Sequence, residues 1–455
     1  MYLPTAITLL LLLLFASASL KYPLLGLSIL TFVWAAAFHR TGGSIGGLLL
    51  PFGDLCWLVY VICFGFHHIF IRRLVTPIRG VPNYMIMAVP YLLLALALPI
   101  AGWMLKGYPF RYSSPGFRQI EWCSFALFYF SFTINKGPRR IGIALLWTLV
   151  IASAVHIGYS FMQLSAHFGV IPKKFLYLDY MYTNLTGIDK FYYPRVTGYL
   201  TNPNAVAIFG ALVFSLAVGL NSKSKQIPGV VWYFMVISAI LLTLLSGSRS
   251  GLVGMLGCVG FLVAWGRILT IGSIGPFVKL TVGLAIPGIT AVFLSRKYLA
   301  DNLISRFTDI YDAFRYGLDN DASLYTRTEI WSSVWEQYKS DYSGSWAPPA
   351  YVYNHPIDSY YVNTIAQGSP VYTLSFVVFV IMICVLAREG MMFGSCAWSR
   401  GLSVVMVGYC GTLICASLGL SPIQQPHVIV IFWGMVGVVG AVVCRERMSS
   451  PRRSN

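Results

Sequence analysis

Three arginines and one polar run carry the residue types that could do chemistry. Arg195 stands in Tyr193-Pro194-Arg195-Val196-Thr197-Gly198, Arg249 in the short Ser246-Gly247-Ser248-Arg249-Ser250-Gly251 turn between two apolar stretches, and Arg327 beside an aromatic-rich segment. A guanidinium is permanently charged, and its planar fork matches the oxygens of a phosphate. At a membrane surface the same side chain also snorkels to lipid headgroups, so Arg195 and Arg249 each read as a headgroup contact or as a ligand-phosphate contact. Arg327 reads first as the partner of Glu329 or another acid, and second as part of an anion site. The run Tyr353-Asn354-His355-Pro356-Ile357-Asp358-Ser359-Tyr360-Tyr361 supplies candidate bases. His355 and Asp358 are close enough to share a turn, and either can accept a proton from a hydroxyl, histidine with the smaller pKa shift. A plain turn held by Asp and Pro is the equal alternative. Tyr193, Tyr353, Tyr360 and Tyr361 offer flat faces, although tyrosines also gather in interfacial belts.

The elements that must position these residues lie in a membrane. The chain has 455 residues, 57% hydrophobic and 10% charged, with mean hydropathy +0.70, which excludes a soluble domain. Apolar segments occupy residues 4–20, 22–38, 49–70, 83–103, 119–134, 141–161, 203–220, 228–246, 251–266, 273–294, 370–387, 401–420 and 428–443. At about 20 residues per crossing they give an all-α, polytopic integral membrane protein of about 12–13 transmembrane helices. Residues 1–20 lack the basic flank and cleavage pattern of a signal peptide and read as a first helix. Residues 41–47 read as a Gly-rich linker. Asn202 and Pro203 suit a helix cap and first turn.

Charge orients the bundle. The net charge of +17 comes from basic connections, which mark cytoplasmic loops rather than a nucleic-acid surface. Lys136, Arg139, Arg140, Arg388, Arg400, Arg445 and Arg447 then share the cytoplasmic side. Residues 162–202, 246–250 and 295–369 fall together on the other side, and eleven of the 15 acidic residues lie between Asp179 and Asp358. Three regions follow: a transmembrane bundle at 1–294, a large extracytoplasmic helical loop at 295–369, and C-terminal helices with a basic tail at 370–455. Within the loop, Thr326 and Glu329 have capping-box spacing, and Ile330, Trp331, Val334, Trp335 and Tyr338 recur on one helical face. None of the nine cysteines lies in the long outer segments. No Cys/His spacing makes a metal set and no phosphate-binding glycine motif occurs, so no cofactor or metal is expected.

Taken in order, Arg195 with Gly198 and Asn204, Ser248-Arg249-Ser250-Gly251, Arg327 with Trp331, and Asp358-Ser359-Tyr360-Tyr361 followed by Gly368 resemble the O-antigen ligase and polymerase superfamily of bacterial envelope proteins. Ligases of that kind present His followed by Asn in the late outer loop. Here Asp358-Ser359 stands there, with His355 three residues earlier, which favours a polymerase. The resemblance implies an undecaprenyl-diphosphate-linked oligosaccharide as substrate, the bacterial inner membrane as location, a site facing the periplasm, and glycosyl transfer without cofactor or metal. It places Arg195, Arg249 and Arg327 on the diphosphate, Asp358 or His355 on the acceptor hydroxyl, and Tyr193, Tyr353, Tyr360 and Tyr361 on sugar. The alternatives are a ligase using a lipid A core, a polysaccharide flippase or transporter, and an assembly protein recruiting a chain-length regulator. Membrane lipids are the remaining partner, and nucleic acid is not one.

Overall fold

The computed structural model describes residues 5–36, 42–45, 48–72, 88–167, 170–172, 196–200, 202–221, 226–264, 322–347, 349–352 and 357–449, with a few isolated positions beside them. The protein is an all-α, polytopic membrane protein. Its helices are α1 (Thr5–Lys21), α2 (Pro23–Ala35), α3 (Phe52–Phe66), α4 (Val89–Leu105), α5 (Ser114–Lys136), α6 (Pro138–His167), α7 (Pro203–Asn221), α8 (Gly229–Leu245), α9 (Arg249–Ala264), α10 (Ala322–Ser340), α11 (Tyr360–Phe393), α12 (Ala397–Ala416) and α13 (Pro426–Ser449). Among the described residues, six helices are long and apolar enough to cross a membrane. Every expected apolar span falls on a helix except residues 273–294, which lie outside the described residues. The Gly-rich stretch departs from expectation. It forms β2 (Gly42–Ile45), paired antiparallel with β3 (Leu48–Pro51) and parallel with β1 (Tyr2–Leu3).

Burial separates centre from rim. The apolar windows of α7 and α13 are each 89% buried, whereas that of α3 is 33% buried and turns Leu58 and Ile62 outward. Close approach at the centre depends on small residues, because two lipid-solvated helices gain from packing rather than from water release. A Cβ on Gly257 of α9 would run into the Gly411 carbonyl oxygen of α12, and one on Gly411 into that of Gly257. The four acids outside the long outer segments, Asp54, Glu121, Glu389 and Glu446, all have partners. Arg118 reaches Asp54 at 2.5 Å and Glu121 at 3.1 Å, Arg447 reaches Glu389 at 2.6 Å, and Ser395 donates to Glu446.

The bundle has two unlike ends. At one, Arg445 donates to the last carbonyls of α5, Thr133 and Ile134, and Arg447 meets Glu389 near the end of α11. The residues expected to face the cytoplasm gather there. The opposite end holds the α8–α9 turn, the α12–α13 turn, α10 and the start of α11.

α11 is not a single rod. Its helical dihedrals break at Gly368 (φ −143°, ψ 28°) and Ser369 (φ 67°, ψ 174°), just before Pro370. The two limbs fold back on each other: Thr364 and Thr373 hydroxyls are 2.7 Å apart, and the Tyr360 and Phe376 rings lie 4.8 Å centroid to centroid. Sixteen residues of straight helix would separate those two rings by about 24 Å. Residues 360–367 therefore form the ascending limb of a helical hairpin and 370–393 the descending one, which agrees with a span expected to begin at Pro370.

Candidate functional site

The ascending limb starts from a docked turn. Ser359 caps it, accepting from the Val362 amide at 3.5 Å while its hydroxyl donates to the Ser417 carbonyl at 3.3 Å. The Tyr360 amide points at the carbonyls of Ser417 and Leu420, and the Ser421 hydroxyl donates to the Asp358 carbonyl at 3.2 Å. These bonds fix the Asp358 backbone against the α12–α13 turn and leave its carboxylate facing α10. Arg327 meets that carboxylate with Nε at 3.2 Å and Nη2 at 3.1 Å, both on Oδ2. The side chains are 22% and 47% exposed, so the pair sits at a wetted edge rather than in the core.

α10 itself begins at Ala322, not at Thr326 as the capping-box spacing suggests. Thr326 stands a turn inside the helix, so its spacing to Glu329 is only the ordinary i,i+3 recurrence. The apolar face is as expected for Val334 and Tyr338, which are buried, and for Ile330 and Trp331, which pack with Ile357, Val362 and Ala366. Trp335 differs, being 47% exposed.

Arg249 occupies the first turn of α9, and the sequence around it holds it in place. Gly247 takes a left-handed φ of 56°, allowing the chain to reverse directly after α8. Ser248 caps α9: its hydroxyl accepts from the Gly251 amide at 3.0 Å and donates to Asn204 Oδ1 at 2.7 Å. Ser250 donates to the Gly419 carbonyl at 2.9 Å. Gly419 also faces Arg327, since a Cβ there would stand 3.8 Å from its Nη1. One glycine of the α12–α13 turn is therefore a common wall between the start of α9 and the Arg327–Asp358 pair.

Arg195, Tyr193, His355 and Tyr353 lie outside the described residues. The residue after Arg195 is described: the Val196 amide donates to the carbonyl of Leu245, the last residue of α8. Thr197 is held both ways by Gln163 of α6: its amide donates to Oε1 at 3.0 Å, and its Oγ1 accepts from Nε2 at 2.6 Å. The Tyr199 amide donates to His156 Nδ1 at 3.3 Å, and His156 Nε2 lies 2.9 Å from the Ala35 carbonyl. The chain that follows Arg195 is thus anchored at the Arg249 end of the bundle.

Comparison with protein-family models and with curated proteins finds no match.

Of the tyrosines expected to face sugar, Tyr360 is packed inside the bundle and Tyr361 is half-buried. Tyr360 is 3% exposed, its hydroxyl 3.0 Å from that of Tyr91, and Tyr361 donates to the Ile414 carbonyl at 3.0 Å. Both hold the ascending limb to its neighbours. The residues that build the site but carry no chemical signature, Gln163, Ser248, Gly419 and Ser421, escape sequence reasoning because their roles are backbone contacts between distant segments. Ser248 alone had a local signal, the cap position before α9. Together, the geometry brings the first turn of α9, which carries Arg249, and the Arg327–Asp358 pair to one serine- and glycine-lined wall. Such an arrangement can receive a large anion and hold a hydroxyl next to it.

Proposed function

We propose that the protein polymerises undecaprenyl-diphosphate-linked oligosaccharide repeats by glycosyl transfer at the extracytoplasmic face of a bacterial inner membrane. The observation that carries this reading is the shared Gly419 wall, which brings Arg249 and the Arg327–Asp358 pair to one end of a membrane bundle. The opposite end gathers the basic residues that the positive-inside rule assigns to the cytoplasm. A lipid-borne diphosphate suits such a place, because its tail stays in hydrocarbon while its charge remains at the interface.

In the reaction, a terminal hydroxyl of one lipid-linked repeat attacks the anomeric carbon of another. The bond from that carbon to the diphosphate oxygen breaks, and the lipid diphosphate leaves with the bonding pair. Negative charge grows on the leaving oxygen, so Arg195 and Arg249 stabilise the transition state more than the bound substrate. Asp358 takes the proton that the attacking hydroxyl gives up, and Arg327 fixes its carboxylate. The leaving group supplies the driving force, and no nucleotide is required.

Purified protein in nanodiscs, given lipid-linked repeats alone, is expected to yield a ladder of polymer and free undecaprenyl diphosphate. Strict dependence on an added lipid A core would make it a ligase. Reorientation of intact lipid-linked glycan with no new linkage would make it a flippase.

A further inference from the structure

α1 and α2 meet at a corner with almost no loop. α1 ends at Lys21 and α2 begins at Pro23, so Tyr22 alone joins them. α3 and α5 end beside this corner, and the four helix ends enclose a cavity of about 200 Å³. Lys21 and Leu24 line it from the corner, His67 from the position after α3, and Phe132, Asn135 and Lys136 from the last turns of α5. His67 and Phe132 are buried, Lys136 is half-buried and Lys21 is exposed, so the cavity runs from a ring-lined floor to a charged mouth. Lys136 follows the α5 carbonyls that Arg445 holds, which puts the cavity at the end opposite Arg249 and the Arg327–Asp358 pair.

The lining brings two ammonium groups, an imidazole and an amide, and no acid. Lysines near helix C-termini commonly answer the last carbonyls. At α5 that need is already met: the Gly137 amide and Arg445 share the Thr133 carbonyl, and Arg445 also reaches that of Ile134. α2 starts at the cavity with no side-chain cap from Tyr22, so its first-turn amides add positive potential there. The cavity therefore selects an anion.

Size and surroundings decide which anion. About 200 Å³ is less than the roughly 300–1,000 Å³ of pockets that take drug-sized ligands, so the cavity holds one small group of a molecule whose remainder lies outside. Outside is hydrocarbon. Leu20, Leu25 and Phe66, each next in sequence to a lining residue, are exposed, as are Leu10, Leu13 and Leu14 along α1.

We propose that this cavity is a site for an anionic phospholipid of the cytoplasmic leaflet, whose phosphodiester sits between Lys21 and Lys136 while its acyl chains lie along α1. Basic pockets between membrane helices on that side suit such headgroups. The site is independent of the reaction proposed at the other end.

The test titrates full-length protein, purified in mild detergent and stripped of lipid, with phosphatidylglycerol or with phosphatidylcholine of the same acyl chains. Native mass spectrometry counts the lipid bound. The wild type is expected to take one phosphatidylglycerol at least about tenfold more tightly than phosphatidylcholine. Lys21→Gln and Lys136→Gln are each expected to weaken phosphatidylglycerol about fivefold, the effect of one lysine at a lipid surface, and the arginine replacements to preserve it. Arg140→Gln removes an exposed charge outside the cavity and is expected to change nothing. Thermal melts report that each variant is folded. Leu24→Trp fills the cavity with every charge in place and is expected to abolish the preference, which keeps the test decisive if a glutamine variant does not fold. No preference in the wild type, unaltered affinity in both glutamine variants, or an equal loss in Arg140→Gln overturns the site. So does displacement of phosphatidylglycerol by inorganic phosphate, which would make it a free-anion site.

Discussion

Arg327 grips one oxygen of Asp358, Oδ2, with two of its nitrogens, across 31 residues of sequence. Of the two roles the sequence allows Arg327, partner of an acid or holder of a phosphate, the ion pair realises the first. It joins the outer-loop helix to the start of the α11 hairpin, and so ties the candidate base to a specific position above the α12–α13 turn. At this exposure the pair contributes little to stability, so its value is positional.

That pairing makes a coupled prediction. Asp358→Asn is expected to lower the polymerisation rate about 100-fold, in the range for losing a group that takes a proton from the nucleophile. Arg327→Gln is expected to cost about tenfold, and the double variant no more than about threefold beyond Asp358→Asn, because contacting residues fail to add. Initial rates with saturating lipid-linked repeats check this. Fully multiplicative losses would show that the two side chains act separately.

Arg249 is testable without disturbing its helix. Ser248 caps α9 and Ser250 anchors it to Gly419, so the first turn stays in place whatever stands at 249. Arg249→Lys keeps the charge and removes the fork. Its polymer yield is expected to fall about tenfold with expression and melting temperature unchanged, in line with about 1.4 kcal/mol of lost leaving-group stabilisation. A lysine variant at wild-type yield would leave Arg249 a headgroup contact.

The membrane body was legible because hydrophobic run length is a strong local signal: nearly every helix sits where apolar residues accumulate. Arg249 and Asp358 were legible as charged residues in short polar segments between apolar ones. What could not be read was contact across the chain. Tyr360 and Tyr361 look like interfacial aromatics in sequence, yet the reversal at Gly368–Ser369 folds their limb inward against Phe376. Nothing local to Arg327 names Asp358 rather than Glu329, since the choice follows from how α10 packs on that limb.

The far end of the outer loop is held by a latch that responds to acid. Lys106, just beyond α4, donates to the Gly344 carbonyl at 2.8 Å, reaches Asp341 at 3.1 Å and lies 4.7 Å from the Trp346 ring centre. The Ser343 hydroxyl, then Lys106, holds the Asp341 carboxyl below its ordinary range. The ionised form is thus favoured in the folded loop, and its contribution is complete above the unfolded value of about 4 and fades as pH falls through the lowered folded value. Hydrogen exchange of residues 341–347 is expected to quicken below about pH 4 in the wild type, with Asp341→Asn showing much less change. Equal acid responses in the two proteins would remove Asp341 from the latch.

The same latch covers the top of the hairpin, where the Ser345 and Trp346 amides donate to the carbonyls of Ala366 and Gln367 at 2.8 and 2.9 Å. Gly344 makes this docking sterically feasible: its φ is +81°, and a Cβ would stand 2.7 Å from the Gln367 carbonyl oxygen. Gly344→Ala is therefore expected to cost at least about 1–2 kcal/mol from the left-handed backbone alone. It should lower the thermal midpoint in detergent and quicken exchange at Ser345 and Trp346, while Gly107→Ala, where φ is +68° but nothing lies within 4 Å of the added carbon, carries only the backbone cost.

Gln163 offers the sharpest separation between holding the chain and doing chemistry. It is 2% exposed and meets Thr197 through both amide atoms, two residues beyond Arg195. Gln163→Leu would leave the Thr197 amide buried with its partner removed, at a cost of about 1–3 kcal/mol, while the Thr197 hydroxyl keeps its bond to the Gly198 carbonyl. Gln163→Glu retains an acceptor for the amide but cannot return a hydrogen to the hydroxyl unless protonated, so it should fall between wild type and leucine in thermal midpoint. Because the clamp holds the segment that joins the end of α8 through Val196, both variants are expected to raise KM for lipid-linked repeats more than they lower kcat. An unchanged KM with only a lower thermal midpoint would make the clamp purely structural.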